Sequence, residues 1–169
     1  GLAKVFTRDD SLGYIDKNGN LKIALSESSW SFGERFCEGY AVAGVRDADT
    51  REPRFGYIDV RGEYVVPAEF DECEEFREGH GLGRKGDRWF FAAPRGVVFP
   101  PGGLSQALQF SGDRAGVRIG EEWGFIAPAG ELVIGAEYDR VWSFHSGIAR
   151  VQRGDKCAYV DRQGRPLTP

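Results

Sequence analysis

Apolar and polar positions alternate along this chain in short phrases, such as "WGFI" (123–126), "LVIG" (132–135) and "IARV" (148–151), and none sustains a 3.6-residue period. That pattern predicts strands and almost no helix, at most a turn between Phe70 and Phe76 and its equivalents. The phrases also recur. Taking the "GY"-like position as an anchor gives Gly13, Gly56, Phe90, Gly124 and Ala158, with the last three intervals 34 residues each and the first 43. Six residues after every anchor stands a glycine: Gly19, Gly62, Gly96, Gly130 and Gly164. One residue after each anchor stands an aromatic: Tyr14, Tyr57, Phe91, Phe125 and Tyr159. A second column holds Phe36, Phe76, Phe110 and Phe144, each followed by a "G-x-A-x-V"-like phrase.

Internal repetition at this period is the mark of a repeat architecture. Each copy reads as a strand, a glycine-containing tight turn, a second strand, and a third strand from the "IARV" phrase. The fixed glycine calls for positive φ or a close backbone approach. Pro67, Pro101 and Pro169 share a column and are expected to end their strands, because proline lacks an N–H donor. The extra residues of the first interval fall mostly in "VRDADTREPR" (45–54), which reads as an enlarged loop. A unit of about three short strands cannot bury its own core, so neighbouring units must cover one another. The expected fold is therefore all-β: tandem repeats of roughly 34 residues, each of three short antiparallel strands, in an open twisted stack, with a closed propeller-like ring as the alternative. Residues 1–169 form one repeat domain on this reading. "GLAKV" (1–5) finishes one unit and 158–169 begin another, and the chain has no methionine, so it reads as part of a longer protein with neighbouring domains.

Composition narrows the function classes. A net charge of −4 disfavours a nucleic-acid partner, and no apolar run is long enough for a membrane span. Cys37, Cys73 and Cys157 are odd in number and far apart, which fits neither a disulfide framework nor a metal site and favours a reducing compartment such as the cytoplasm.

The segments "FGYIDVRGEYVVPAEFDECEEFREG" (55–79) and "WGFIAPAGELVIGAEYDRVWSFHSGIARV" (123–151) resemble WG repeats, also written KWG repeats. The second and fourth copies match best. The first has Leu12-Gly13 for Trp-Gly, the fifth has Cys157-Ala158, and the third departs most, with Trp89-Phe90, Ala93 and Leu104-Ser105. The resemblance implies a bacterial-type tandem β-repeat module, often attached to other domains, with no general catalytic residues to carry over.

Candidate chemistry lies where copies differ. The run "EFDECEEFREG" (69–79) holds six acids, among them Glu72, Glu74 and Glu75, against one base, Arg77. It offers a docking face for a basic partner. Asp47 and Asp49 stand at alternate positions in the longest loop, where function tends to sit. Trp89 and Trp123 occupy the repeat's own tryptophan column, and Trp30 an aromatic or Leu column, so all three are expected to pack. Trp142 instead replaces Glu34, Glu74 and Leu108 and is expected at the surface. No nucleophile elbow, HExxH or phosphate-binding glycine loop occurs. The sequence thus favours a non-catalytic protein-binding or scaffold module without cofactor or metal. A carbohydrate or cell-envelope binding module is the alternative, and nothing supports a hydrolase.

Overall fold

A computed structural model describes residues 1–6, 12–24, 32–47, 49–94 and 98–167. Trp30, Gly96 and Pro169 lie outside them. The chain divides into two compact units, Gly1–Gly86 with Ala92–Val97, and Asp87–Phe91 with Val98–Pro169. In the first unit, β1 (Ala3–Phe6), β2 (Leu12–Ile15) and β3 (Leu21–Ala24) form one sheet. A second sheet orders β4 (Phe32–Gly33), β5 (Tyr40–Arg46), β6 (Pro53–Asp59) and β7 (Tyr64–Phe70) side by side, and β8 (Glu72–Cys73) pairs with β9 (Gly81–Lys85). In the second unit, β10 (Arg88–Ala92), whose first four residues belong there, neighbours β11 (Val98–Leu104). Two further sheets follow: β12 (Ala115–Ile119), β13 (Glu122–Ile126) and β14 (Leu132–Tyr138), then β15 (Arg140–Val141), β16 (Ile148–Arg153) and β17 (Lys156–Asp161). The described residues contain no helix, every pairing with a stated register is antiparallel, and no sheet closes into a barrel.

The fold is all-β and repetitive, as the sequence predicts, but the sheets are phased differently from the copies. The "G-x-A-x-V" strand that ends one copy pairs with the first strand of the next. Thus Tyr40–Arg46 lies against Pro53–Asp59, and Ile148–Arg153 against Lys156–Asp161. Residues 1–5, likewise, supply β1 beside β2. The acidic connection after Phe70 is not a helical turn: Glu72–Cys73 is a two-residue edge strand. Nor do Pro67 and Pro101 end their strands. β7 runs through Pro67 and β11 through Pro101, and both strands lie at sheet edges, where a missing N–H is tolerated.

The recurring columns have a visible physical cause. Tyr14, Tyr57, Phe91 and Phe125 are fully buried and meet Phe36, Phe76, Phe110 and Phe144 edge-on at 4.8, 4.8, 5.0 and 4.9 Å. Each such pair adds about 0.5–1.5 kcal/mol beyond its buried area. Tyr159 has no such phenylalanine among the described residues and is 57% exposed. The turn glycines Gly19, Gly62, Gly130 and Gly164 have φ of +82°, +84°, +87° and +78°. Where the copy reads "I-D" or "V-D", the aspartate closes the same turn. Asp16 accepts the N–H of Asn18 and Asn20, Asp59 those of Arg61 and Glu63, and Asp161 those of Gln163 and Arg165, all at 2.9–3.1 Å. No helix is long and apolar enough to cross a membrane among the described residues.

Candidate functional site

The acidic run is largely spent inside the fold. Glu75 forms a bidentate pair with Arg35, at 2.6 and 2.8 Å. Glu72 pairs with Arg84 at 3.1 Å, Glu69 with Lys85 at 3.0 Å, and Asp71 with Arg54. Asp71 also accepts the N–H of Gly86 at 2.7 Å, pinning the end of β9. From the preceding copy, Glu38 takes the N–H groups of Glu78 and Gly79 at 2.9 and 2.8 Å. The Glu74 side chain is exposed, yet desolvation of its carboxyl first and Glu72 second push it above the ordinary range. The three glutamates singled out in the sequence therefore do not converge as a bare acidic face: Glu72 and Glu75 are held by arginines, and the carboxyl of Glu74 is shifted upward.

Asp47 and Asp49 also separate in role. The carboxylate of Asp47 accepts the N–H groups of Asp49 and Thr50 at 3.0 and 2.8 Å and the Thr50 hydroxyl at 3.0 Å. The Thr50 amide is the main cause that holds Asp47 below the usual carboxylate range. Asp47 is thus the keystone of its own turn, and the insertion lengthens β5 and β6 into one hairpin rather than a loose loop. A cleft of about 440 Å³ beside it is lined by Asp47, Arg54, Glu69, Asp71 and Lys85, of which Arg54 pairs with Asp71 and Lys85 with Glu69. No group of three or more metal-ligating side chains occurs among the described residues.

The second unit holds a different kind of site. Trp89, Trp123 and Trp142 together line an open groove of about 680 Å³, with Leu108 and Val141 as apolar lining and Gln106, Arg118, Asp139, Arg140 and Ser143 as polar groups. All three indoles are half-buried, so Trp142 is less exposed than expected, and Trp89 and Trp123 line a cavity besides packing. Local pairing builds this place. The N–H of residue 108 bonds the carbonyl of Gly116 at 2.8 Å, and that of Trp142 bonds Arg150 at 3.0 Å. The first unit makes the same bonds, Glu34 to Val42 and Glu74 to Leu82, both at 2.8 Å. So one cross-strand position reads Glu–Val, Glu–Leu, Leu–Gly and Trp–Arg in successive copies. A Cβ at Gly116 would lie 3.0 Å from both Leu108 and Val141, so a side chain there would press on those two methyl groups. Reading those two columns jointly is the signal that marks the groove in the sequence; Trp142 considered alone is not enough.

Electrostatics at the groove are uneven. The guanidinium of Arg150 lies over the Trp142 ring at 4.4 Å and that of Arg140 at 5.1 Å. Arg150 also donates to the Cys157 sulfur at 3.2 Å. Neither guanidinium forms an ion pair among the described residues. Arg118 is committed to Glu121 at 2.9 Å and Gln106 at 3.3 Å. Asp139 accepts the N–H of Gly154 at 2.5 Å, the role Asp71 plays at Gly86.

Residues 55–89 and 123–157 match the family model described as the WG containing repeat. No curated protein matches the chain. The crystal structure of a protein of unknown function from Bacteroides caccae is similar over 93% of this chain and 73% of that one, at 11% identity and a TM-score of 0.33. A likeness that loose carries nothing about chemistry.

Proposed function

Because this chain is a WG-repeat protein, we propose that it is a non-catalytic binding module that engages a protein partner through the groove of its second unit. The observation that carries this reading is the rewriting of one cross-strand position into Leu108–Gly116 and Trp142–Arg150, which opens a three-tryptophan groove on an otherwise repeated frame. Half-buried indoles and arginine are the side chains most enriched where proteins anchor one another. The reading is non-catalytic because the polar groups there are committed: Asp139 to a hairpin amide and Arg118 to Glu121. Binding to the acidic run is disfavoured by its arginine and lysine partners.

Three indoles in a groove also favour a second reading, a saccharide-binding cleft. Two experiments separate them. A photo-crosslinking residue at Ser143, compared with one at Glu63 in the first unit, is expected to trap a protein partner from the Ser143 position alone. Equal trapping from both positions would remove the groove assignment. Quenching of tryptophan fluorescence by neutral oligosaccharides, lost in Trp142→Ala, would establish the second reading instead.

A further inference from the structure

We infer that the groove selects acidic peptide segments, with Arg140 and Arg150 receiving their carboxylates; this rests on the reading of the groove as a protein-binding site. Elsewhere on the chain, many arginines near an acid are neutralised, as in the pairs Arg35–Glu75, Arg61–Asp59 and Arg165–Asp161. Arg140 and Arg150 are instead placed against an indole. A guanidinium stacked on a ring keeps its in-plane N–H groups outward; Arg150 gives one of them to Cys157, and the remaining edges match a carboxylate with two parallel hydrogen bonds. Both arginines are exposed, so the cost of holding unpaired charge is small until a ligand arrives.

The surrounding charge agrees. In the groove lining Arg118 is paired with Glu121, Asp139 is occupied by the Gly154 amide, and Arg140 is the charge without an ion pair among the described residues. The second unit holds nine acidic and nine basic side chains, so the chain's net charge of −4 resides in the first unit. An acidic ligand therefore meets a locally cationic spot on a neutral unit. A neutral sugar would need a bare indole face, whereas Trp142 carries guanidiniums at 4.4 and 5.1 Å. Trp89, Trp123 and Leu108 leave apolar contact area for the side chains that alternate with the acids in an extended peptide, and Gln106 and Ser143 add an amide and a hydroxyl for its backbone.

Selection from a random dodecapeptide library displayed on phage, against the whole chain, tests this. The expected result is at least a twofold enrichment of Asp and Glu over the input library. A selected peptide should bind at least tenfold more weakly to the Arg140→Gln/Arg150→Gln protein and should weaken as salt rises. The Arg140→Lys/Arg150→Lys protein keeps the charge and should recover part of that loss, and the urea midpoints of both variants show whether the fold is intact. Peptides enriched in a Trp142-dependent manner without acids would overturn the inference and leave the groove reading standing. No peptide lost on Trp142→Ala would overturn both. Oligogalacturonate that binds where no peptide does would replace the acidic peptide with an acidic glycan and overturn both as stated.

Discussion

The aromatic column shows how one position can carry two solutions. Tyr14 and Tyr57 donate their hydroxyls to the carbonyls of Glu34 and Glu74, both at 2.6 Å, and Tyr57 reaches Leu82 as well at 3.1 Å. Phe91 and Phe125 have no hydroxyl to place, and opposite them the glutamate column becomes Leu108 and Trp142. Size is matched too. Gly81 replaces the alanine of the other copies, and a Cβ there would fall 2.3 Å from the Tyr57 ring. Burial is the main reason the Tyr57 phenol is pushed far above its ordinary value, so it keeps the proton it donates. Replacing Tyr57 by Phe takes the donor from the Glu74 carbonyl, while the Leu82 carbonyl keeps the Glu74 N–H; this should cost about 1–2 kcal/mol in urea unfolding. An unchanged midpoint would mean that the Glu74 carbonyl is satisfied without it.

At the scale of the element, the anchor glycine is set by strand crossing rather than by a turn. The second strand shifts register opposite the first, and its backbone passes directly over the anchor. A Cβ on Gly124 would lie 2.5 Å from the carbonyl oxygen of Ile134, and one on Gly56 would lie 2.4 Å from that of Val66. The third copy breaks the rule by an exchange. Phe90 stands at the anchor, and the room comes from Gly103 on the facing strand, where a Cβ would lie 2.7 Å from the Phe90 ring. The sequence shows Phe90 as a departure, but the compensating glycine is visible only once the strands are paired. Turn glycines serve packing as well: Ile23 sits 3.0 Å from where a Cβ on Gly62 would be, and Ile134 3.2 Å from one on Gly164. Gly124→Ala is therefore expected to destabilise the second unit by about 3 kcal/mol, the upper range for overpacking. Gly135→Ala, in the same hairpin with nothing within 4 Å, should be nearly neutral. Thermal melts of the two variants decide it, and equal melts would remove the argument from strand crossing.

Across the whole molecule, what repeats was legible and what pairs was not. Gly62, Tyr57 and Phe76 stand out in the sequence because the same demand recurs: the turn glycines Gly19, Gly62, Gly130 and Gly164 share a positive φ, and the aromatics Tyr14, Tyr57, Phe91 and Phe125 share a buried edge-on partner. The acids of 69–78 could not be read correctly from their own stretch, because Arg35, Arg54, Arg84 and Lys85 reach them from other strands. The groove was half legible: Trp142 marked it, while Trp89, Trp123 and Gly116 gained meaning only from their neighbours in space. The same carboxylates set the response to acid. Asp16 is held low chiefly by the Asn20 amide. Burial draws Asp59 and Asp161 upward, but Arg61 and the turn amides outweigh it for the one, and Arg165 with its amide for the other. Arg35 holds Glu75 low. A carboxyl lowered by folding binds fewer protons in the folded chain than in the unfolded one. Its contribution is therefore present above the unfolded pKa, about 3.9 for Asp and 4.3 for Glu, and is lost as pH falls through the folded value. Glu74, raised by desolvation of its carboxyl, acts in reverse: its contribution is present below the unfolded value and is lost as pH rises through the folded one. The lowered groups outnumber it, so the urea midpoint should drop steadily from about pH 4 downward. Glu74→Gln should raise the midpoint at neutral pH and change little in acid. Asp59→Asn should lower the midpoint at neutral pH and make the acid decline shallower, since the turn then has one less carboxylate to protonate. A midpoint that stays level from about pH 5 to pH 2.5 would show that the turn aspartates carry no stability through their charge.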